Sequence, residues 1–118
     1  MTDVSVRPNG DRRRWRYRSG VTVYVIVSLN IHDRPTYDRY TQALRPTLAP
    51  FHGEVLVADD QPRVLEGSSD INRVVMLAFP DRDAFRGWAT SPEYQAIIKD
   101  RHDSAASTVL LVNGLAAE

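Results

Sequence analysis

The chain has 118 residues, 42% hydrophobic and 25% charged, which is the size of one globular domain with one core and too short for two. Cysteine is absent, so a disulfide framework, a thiolate nucleophile and a cysteine metal site are excluded. The longest apolar runs, Val109 to Val112 and Val74 to Phe79, fall far short of the ~20 residues a membrane helix needs. The opening residues show no apolar signal core. A soluble, cytoplasmic protein with no membrane partner is expected.

The formal charge of zero conceals an asymmetry. Residues 1–20 carry six arginines against two aspartates, a balance of +4, while the remainder carries nine basic and thirteen acidic side chains, a balance of −4. The opening "MTDVSVRPNGDRRRWRYRSG" has no sustained hydrophobic period and reads as a basic extension, 1–20, outside a single domain spanning 21–118. Its "RRRWRYR" has the arginines and interleaved aromatics that phosphates and bases attract, but one short arm without a folded basic face makes nucleic acid an unexpected partner.

From Val21 to Ile31, aliphatic residues alternate with Thr22, Tyr24, Ile26, Ser28 and Asn30, the period of a strand. Asp33 offers a cap and Pro35 a first turn to a helix carrying Tyr37, Tyr40, Leu44 and Leu48 on one face. Pro46 should kink or shorten its last turn, and Pro50 with Gly53 should end it. "GEVLVAD" (53–59) predicts a strand, "DDQP" a turn and "RVLEG" (63–67) a short returning strand. "RVVMLAFP" (73–80) is apolar on both faces and belongs in mid-sheet. Asp81 caps a helix bearing Ala84, Phe85 and Trp88, Ser91-Pro92 opens a second helix running to Ala105, and "STVLLVNG" (107–114) is a last strand.

This order is the split β-α-β pattern of ferredoxin-like α+β folds, an antiparallel sheet with helices on one face. The opposite face would expose Tyr24, Ile26 and alternate residues of 73–80, more apolar surface than soluble monomers tolerate, so homodimerisation through it is expected.

"YVIVSLNIHD", "FHGEVLV", "VLEG", "RVVMLAFPD", "WATSPEYQ" and the arginine of "IIKDR" resemble, in order and spacing over residues 23–114, the bacterial family called domain of unknown function 1330. The resemblance implies a dimeric α+β barrel of ferredoxin-like subunits and brings no established reaction. Two departures stand out: Glu54 replaces a second glycine after His-Gly, and "DDQP" replaces a glycine-bearing turn.

Arg101 falls on the helical stripe of Tyr94, Ile97 and Ile98, where a guanidinium must reach water or meet a carboxylate, ligand or partner. It also matches the family's arginine, and its planar fork suits a carboxylate or phosphate. Glu66 is its expected internal partner. Arg73, which opens the mid-sheet strand, is expected to pair with Glu66 or Asp70. His52, at a helix-strand junction, is the one weak candidate for a general base, with capping of free carbonyls as the plainer role. A small cavity between sheet and helices is expected, lined by Tyr94, Arg101, Glu66, Arg73 and His52. His32 and His102 should be exposed, and three scattered histidines do not make a zinc motif. With no phosphate loop, Ser-His-Asp order or carboxylate metal motif, no cofactor or metal is expected. The leading expectation is therefore a homodimer that binds a small organic anion. The alternatives are an enzyme like the cofactor-free monooxygenases of related dimeric barrels, or a non-catalytic oligomeric or regulatory module.

Overall fold

The computed structural model describes residues 21–115; the basic extension expected over 1–20 lies outside the described residues. Strand β1 (Val23–Ile31) shows the alternation read from its sequence, with Val23, Val25, Val27, Leu29 and Ile31 buried and the residues between them half-buried. Helix α1 (Arg34–Leu48) is capped by Asp33, whose carboxylate accepts from the Thr36 amide at 3.3 Å and the Thr36 hydroxyl at 2.8 Å. Pro46 does not end the helix. Pro46 and Gln42, four residues before it, both lie on the exposed side, where water can serve the carbonyl that proline leaves unpaired. A single 3-10 turn, Ala49–Phe51, follows. The chain then reverses through His52, at φ 58°, and Gly53, where a Cβ would come within 2.8 Å of Phe79 and 2.9 Å of Leu48. Close packing favours glycine there.

Strand β2 (Glu54–Asp59) leads into a long connection to β3 (Arg73–Phe79). The strand expected over 63–67 is absent: these residues are exposed, with Leu65 86% accessible. A returning strand would pair with the outer edge of β2, which stays open at the end of the sheet. The turn is instead fastened through Asp60 to Arg34 of α1 and Arg73 of β3, and the residues after it do not fold back along β2. The end of the connection is tied down by Asn72, whose side chain accepts from the Ile31 amide at 2.8 Å and donates to the Ile31 carbonyl at 3.0 Å.

Helix α2 (Arg82–Ala89) is capped by Asp81, which accepts from the Ala84 amide at 2.8 Å. The single helix expected from Ser91 to Ala105 is two: α3 (Pro92–Gln95), capped by Ser91, and α4 (Ile98–Ser104), with Ile97 at φ −111° and ψ −9° between them. Strand β4 (Ala105–Asn113) begins two residues before its predicted start at 107. Ala105 is already extended and buried, so burial against the sheet overrides helical continuation there.

The four strands pair antiparallel in the order β2-β3-β1-β4, the ferredoxin-like arrangement. The core lies on the face covered by the helices, where Leu29, Phe79, Tyr37, Leu48, Trp88 and Tyr94 are buried. The opposite face aligns Met76, Ile26 and Leu110 in one row and Ala78, Tyr24 and Val112 in the next. Leu110 is 52% exposed. Among the described residues no helix is long and apolar enough to cross a membrane.

Candidate ligand-binding site

A cavity of about 250 Å³ lies between the helices and the sheet. Val25, Val27 and Leu77 form its floor, and Leu44, Phe85 and Trp88 contribute to its roof. Val109, on the inner face of edge strand β4, lines it and is 46% exposed, which marks the side where it meets solvent.

The polar wall is made by Tyr40, Tyr94 and Arg101. The N-cap at Ser91 places Tyr94 inward: the Ser91 hydroxyl accepts from the Tyr94 amide at 3.2 Å and donates to the Trp88 carbonyl at 2.7 Å. The Tyr40 and Tyr94 hydroxyls are 2.9 Å apart. Burial first, then the neighbouring Tyr94 hydroxyl, push the Tyr40 phenol far above its ordinary pKa, so it is a neutral hydroxyl at physiological pH. Arg101 is only 9% exposed and donates from Nη1 to the Ser107 hydroxyl at 2.7 Å. Burial opposes its charge, but the nearby oxygens of Tyr94 and Tyr40 outweigh that, and its pKa stands above the usual arginine value. No carboxylate pairs with it among the described residues. The expected partner, Glu66, is exposed on the long β2–β3 connection and forms no ion pair there with Arg101.

The second buried arginine is satisfied differently. Arg73 does not pair with Glu66 or Asp70; its Nη1 donates to Asp60 at 2.6 Å and its Nε to the Tyr37 hydroxyl at 3.2 Å. Asp60 also accepts from Arg34 at 3.0 Å. The Arg34 and Arg73 guanidiniums lie 5.9 and 5.4 Å from the Tyr37 ring centroid, within cation-π range. Burial works against the Arg73 charge, and Asp60 with the Tyr37 oxygen more than compensates. The "DDQP" turn therefore braces the fold. Asp59 accepts from the Gln61 amide at 2.8 Å, and Asp60 fastens the connection to α1 and β3.

Of the five residues expected around the cavity, Tyr94 and Arg101 come together on its wall, whereas Glu66, Arg73 and His52 are not among its lining residues. Arg73 borders a separate recess of about 20 Å³ beside Tyr37 and Thr41. His52 is exposed and caps the 3-10 turn through its backbone, its amide donating to the Ala49 carbonyl at 3.1 Å. An exposed imidazole outside the cavity cannot reach a molecule within it. His32 and His102 are exposed, as expected. Tyr40 lies on the buried helix face as its spacing predicts, and its hydroxyl finds in Tyr94 the partner that a buried phenol needs. No three of His, Asp or Glu are grouped as metal ligands among the described residues.

Three solved structures share this architecture. A protein of unknown function from Rhodopseudomonas palustris superposes with a TM-score of 0.68 at 20% identity, over 83% of this chain and 85% of that one. A dimeric ferredoxin-like protein of unknown function from Jannaschia gives 0.64 at 18% identity, over 77% and 97%. SnoaB, a cofactor-independent oxygenase from Streptomyces nogalater, gives 0.53 at 18% identity, over 80% and 93%. These likenesses are of fold. No curated protein matches the chain. The family model described as Domain of unknown function (DUF1330) matches residues 22–115, from just before β1 to just beyond β4, and the chain belongs to that family.

Proposed function

We propose that the protein binds a small organic anion in the cavity between sheet and helices, with Arg101 as the anchor and Tyr94 and Tyr40 beside it. One observation carries this reading: a nearly buried guanidinium stands on the wall of an apolar cavity with no carboxylate to neutralise it among the described residues. Burying a charge is costly unless it is paired, and a site with a few convergent polar groups in an apolar pocket is the usual form of a small-molecule site. The binding unit is residues 21–118, with 1–20 a basic extension outside it. It works as a homodimer joined through the Met76–Ile26–Leu110 face, a reading supported by the exposed apolar row and by the dimeric ferredoxin-like neighbours from Jannaschia and Bacteroides fragilis. A thermal-shift screen of small carboxylates and phosphates against their neutral counterparts tests the binding, since a ligand of the native state raises the melting temperature by mass action. Anions should raise it in the parent and not in Arg101→Met; equal shifts in both proteins would remove Arg101 from the site.

A further inference from the structure

Resting on that reading, we infer that the molecule held against Arg101 is a monocarboxylate built on a single ring. The size of the cavity, the charge on its wall and the polar groups facing it each point that way.

Size comes from the cavity of about 250 Å³. A closed apolar cavity of ~150 Å³ in another protein holds one benzene, or ~25 Å³ per carbon, so the space here takes about ten non-hydrogen atoms. Benzoate fits within that, whereas naphthoate and larger fused acids exceed it. The walls favour a ring. Trp88 and Tyr94 lie with centroids 4.0 Å apart, and Phe85 and Tyr40 present further aromatic surface to the same space. Aromatic pairs of offset or tilted geometry gain more than their buried area alone.

Charge comes from the lining: Arg101 is the one ionised group on it among the described residues. One cation in an apolar surround matches one negative charge, and a dianion would bring a second charge with nothing to meet it.

The polar groups of the wall distinguish a carboxylate from a neutral group. The Trp88 indole N–H is committed to Thr47 at 2.9 Å, the Thr47 hydroxyl to the Leu44 carbonyl at 2.6 Å, and the Gln95 amide to the Ala89 carbonyl at 2.7 Å. The other polar groups on the lining are Arg101 and the Tyr40 and Tyr94 hydroxyls, which accept as well as donate. Arg101 gives Nη1 to Ser107 and further N–H groups to the Tyr94 and Tyr40 hydroxyls, out of the five a guanidinium carries. The Tyr40–Tyr94 pair shares one of its two hydroxyl protons internally, which leaves the other to donate outward. A carboxylate accepts from both sources with its two oxygens. An amide or alcohol would leave the guanidinium charge unmet.

NMR titration of the full chain tests this with four named probes: benzoate, benzamide, 2-naphthoate and inorganic phosphate. Benzoate should shift amides of α3, α4 and the inner face of β4, and both benzamide and 2-naphthoate should bind at least about tenfold more weakly. Arg101→Met should weaken benzoate by at least about tenfold, and Tyr94→Phe, which keeps the ring and its packing, by a smaller factor, so the result does not hang on one variant's folding. Naphthoate binding as tightly as benzoate, with Arg101 still required, would overturn the single-ring inference and leave the anion site standing. Phosphate binding alone, again through Arg101, would overturn the ring and the carboxylate but not the anion. If no anion perturbs the cavity in the folded parent, or if Arg101→Met leaves benzoate binding unchanged, both this inference and the function proposed above fail.

Discussion

Asp60→Asn tests the electrostatic reasoning most directly, because one half-exposed carboxylate serves two arginines of very different burial. Its bond to Arg34 joins side chains 46% and 47% exposed, a pairing worth at most ~1 kcal/mol. Its bond to Arg73 is different, since the Arg73 side chain is only 10% exposed. Removing one partner of a fully buried ion pair costs ~3 to 5 kcal/mol; water reaching Asp60 screens this pair, and asparagine still accepts one hydrogen bond. The expected loss at pH 7 is therefore about 1.5 to 3 kcal/mol, read as a lower urea midpoint at unchanged slope. The pH dependence has a definite sign. Arg34, then Arg73, hold the Asp60 carboxyl below its ordinary pKa, so the stability it contributes is complete above the unfolded value of ~3.9 and disappears as pH falls through the lower folded value. The gap between parent and Asp60→Asn should thus be full at neutral pH and close under strong acid. Equal midpoints at pH 7, or a gap that persists undiminished in strong acid, would refute the idea that Asp60 neutralises a buried arginine.

Arg101→Met should change stability by less than ~1 kcal/mol, since it removes a charge with no acidic partner among the described residues and keeps much of the stem, and Glu66→Gln should be neutral within ~0.5 kcal/mol; a loss above ~3 kcal/mol in urea unfolding of either variant would reveal a buried ion pair. Ile26→Asp, which sets a carboxylate between Met76 and Leu110 on the apolar sheet face, should convert a dimer to monomer in sedimentation equilibrium; a parent that sediments as a monomer removes the proposed interface altogether. Gly53→Ala should cost ~1 to 3 kcal/mol in the same unfolding assay, because its Cβ would press on the Phe79 ring and Leu48 at 2.8 and 2.9 Å, and an unaltered midpoint would show that both side chains yield freely.

The amino-acid sequence by itself determined those features whose information is local. Period-2 burial in β1, apolarity on both faces of β3 and the Asp33, Asp81 and Ser91 caps each depend on residues within a turn or a strand of one another. From those elements the ferredoxin-like order followed, as did the inward phase of Tyr94 and Arg101. Tertiary structure decided which polar groups meet, because side chains distant in sequence compete for the same partners. Tyr40 finds Tyr94 across 54 positions, and Trp88 finds Thr47 across 41. Glu66 was a reasonable partner for Arg101 only while residues 63–67 could be imagined as a strand under the helices. That segment forms no strand and lies exposed, its glutamate with it. Arg73 is neutralised instead by Asp60, from a turn whose residues show no hydrophobic period to announce a role. Among the described residues Arg101 is left with hydroxyls alone, a consequence of where the loop acids could not reach, and no local pattern in the chain records it.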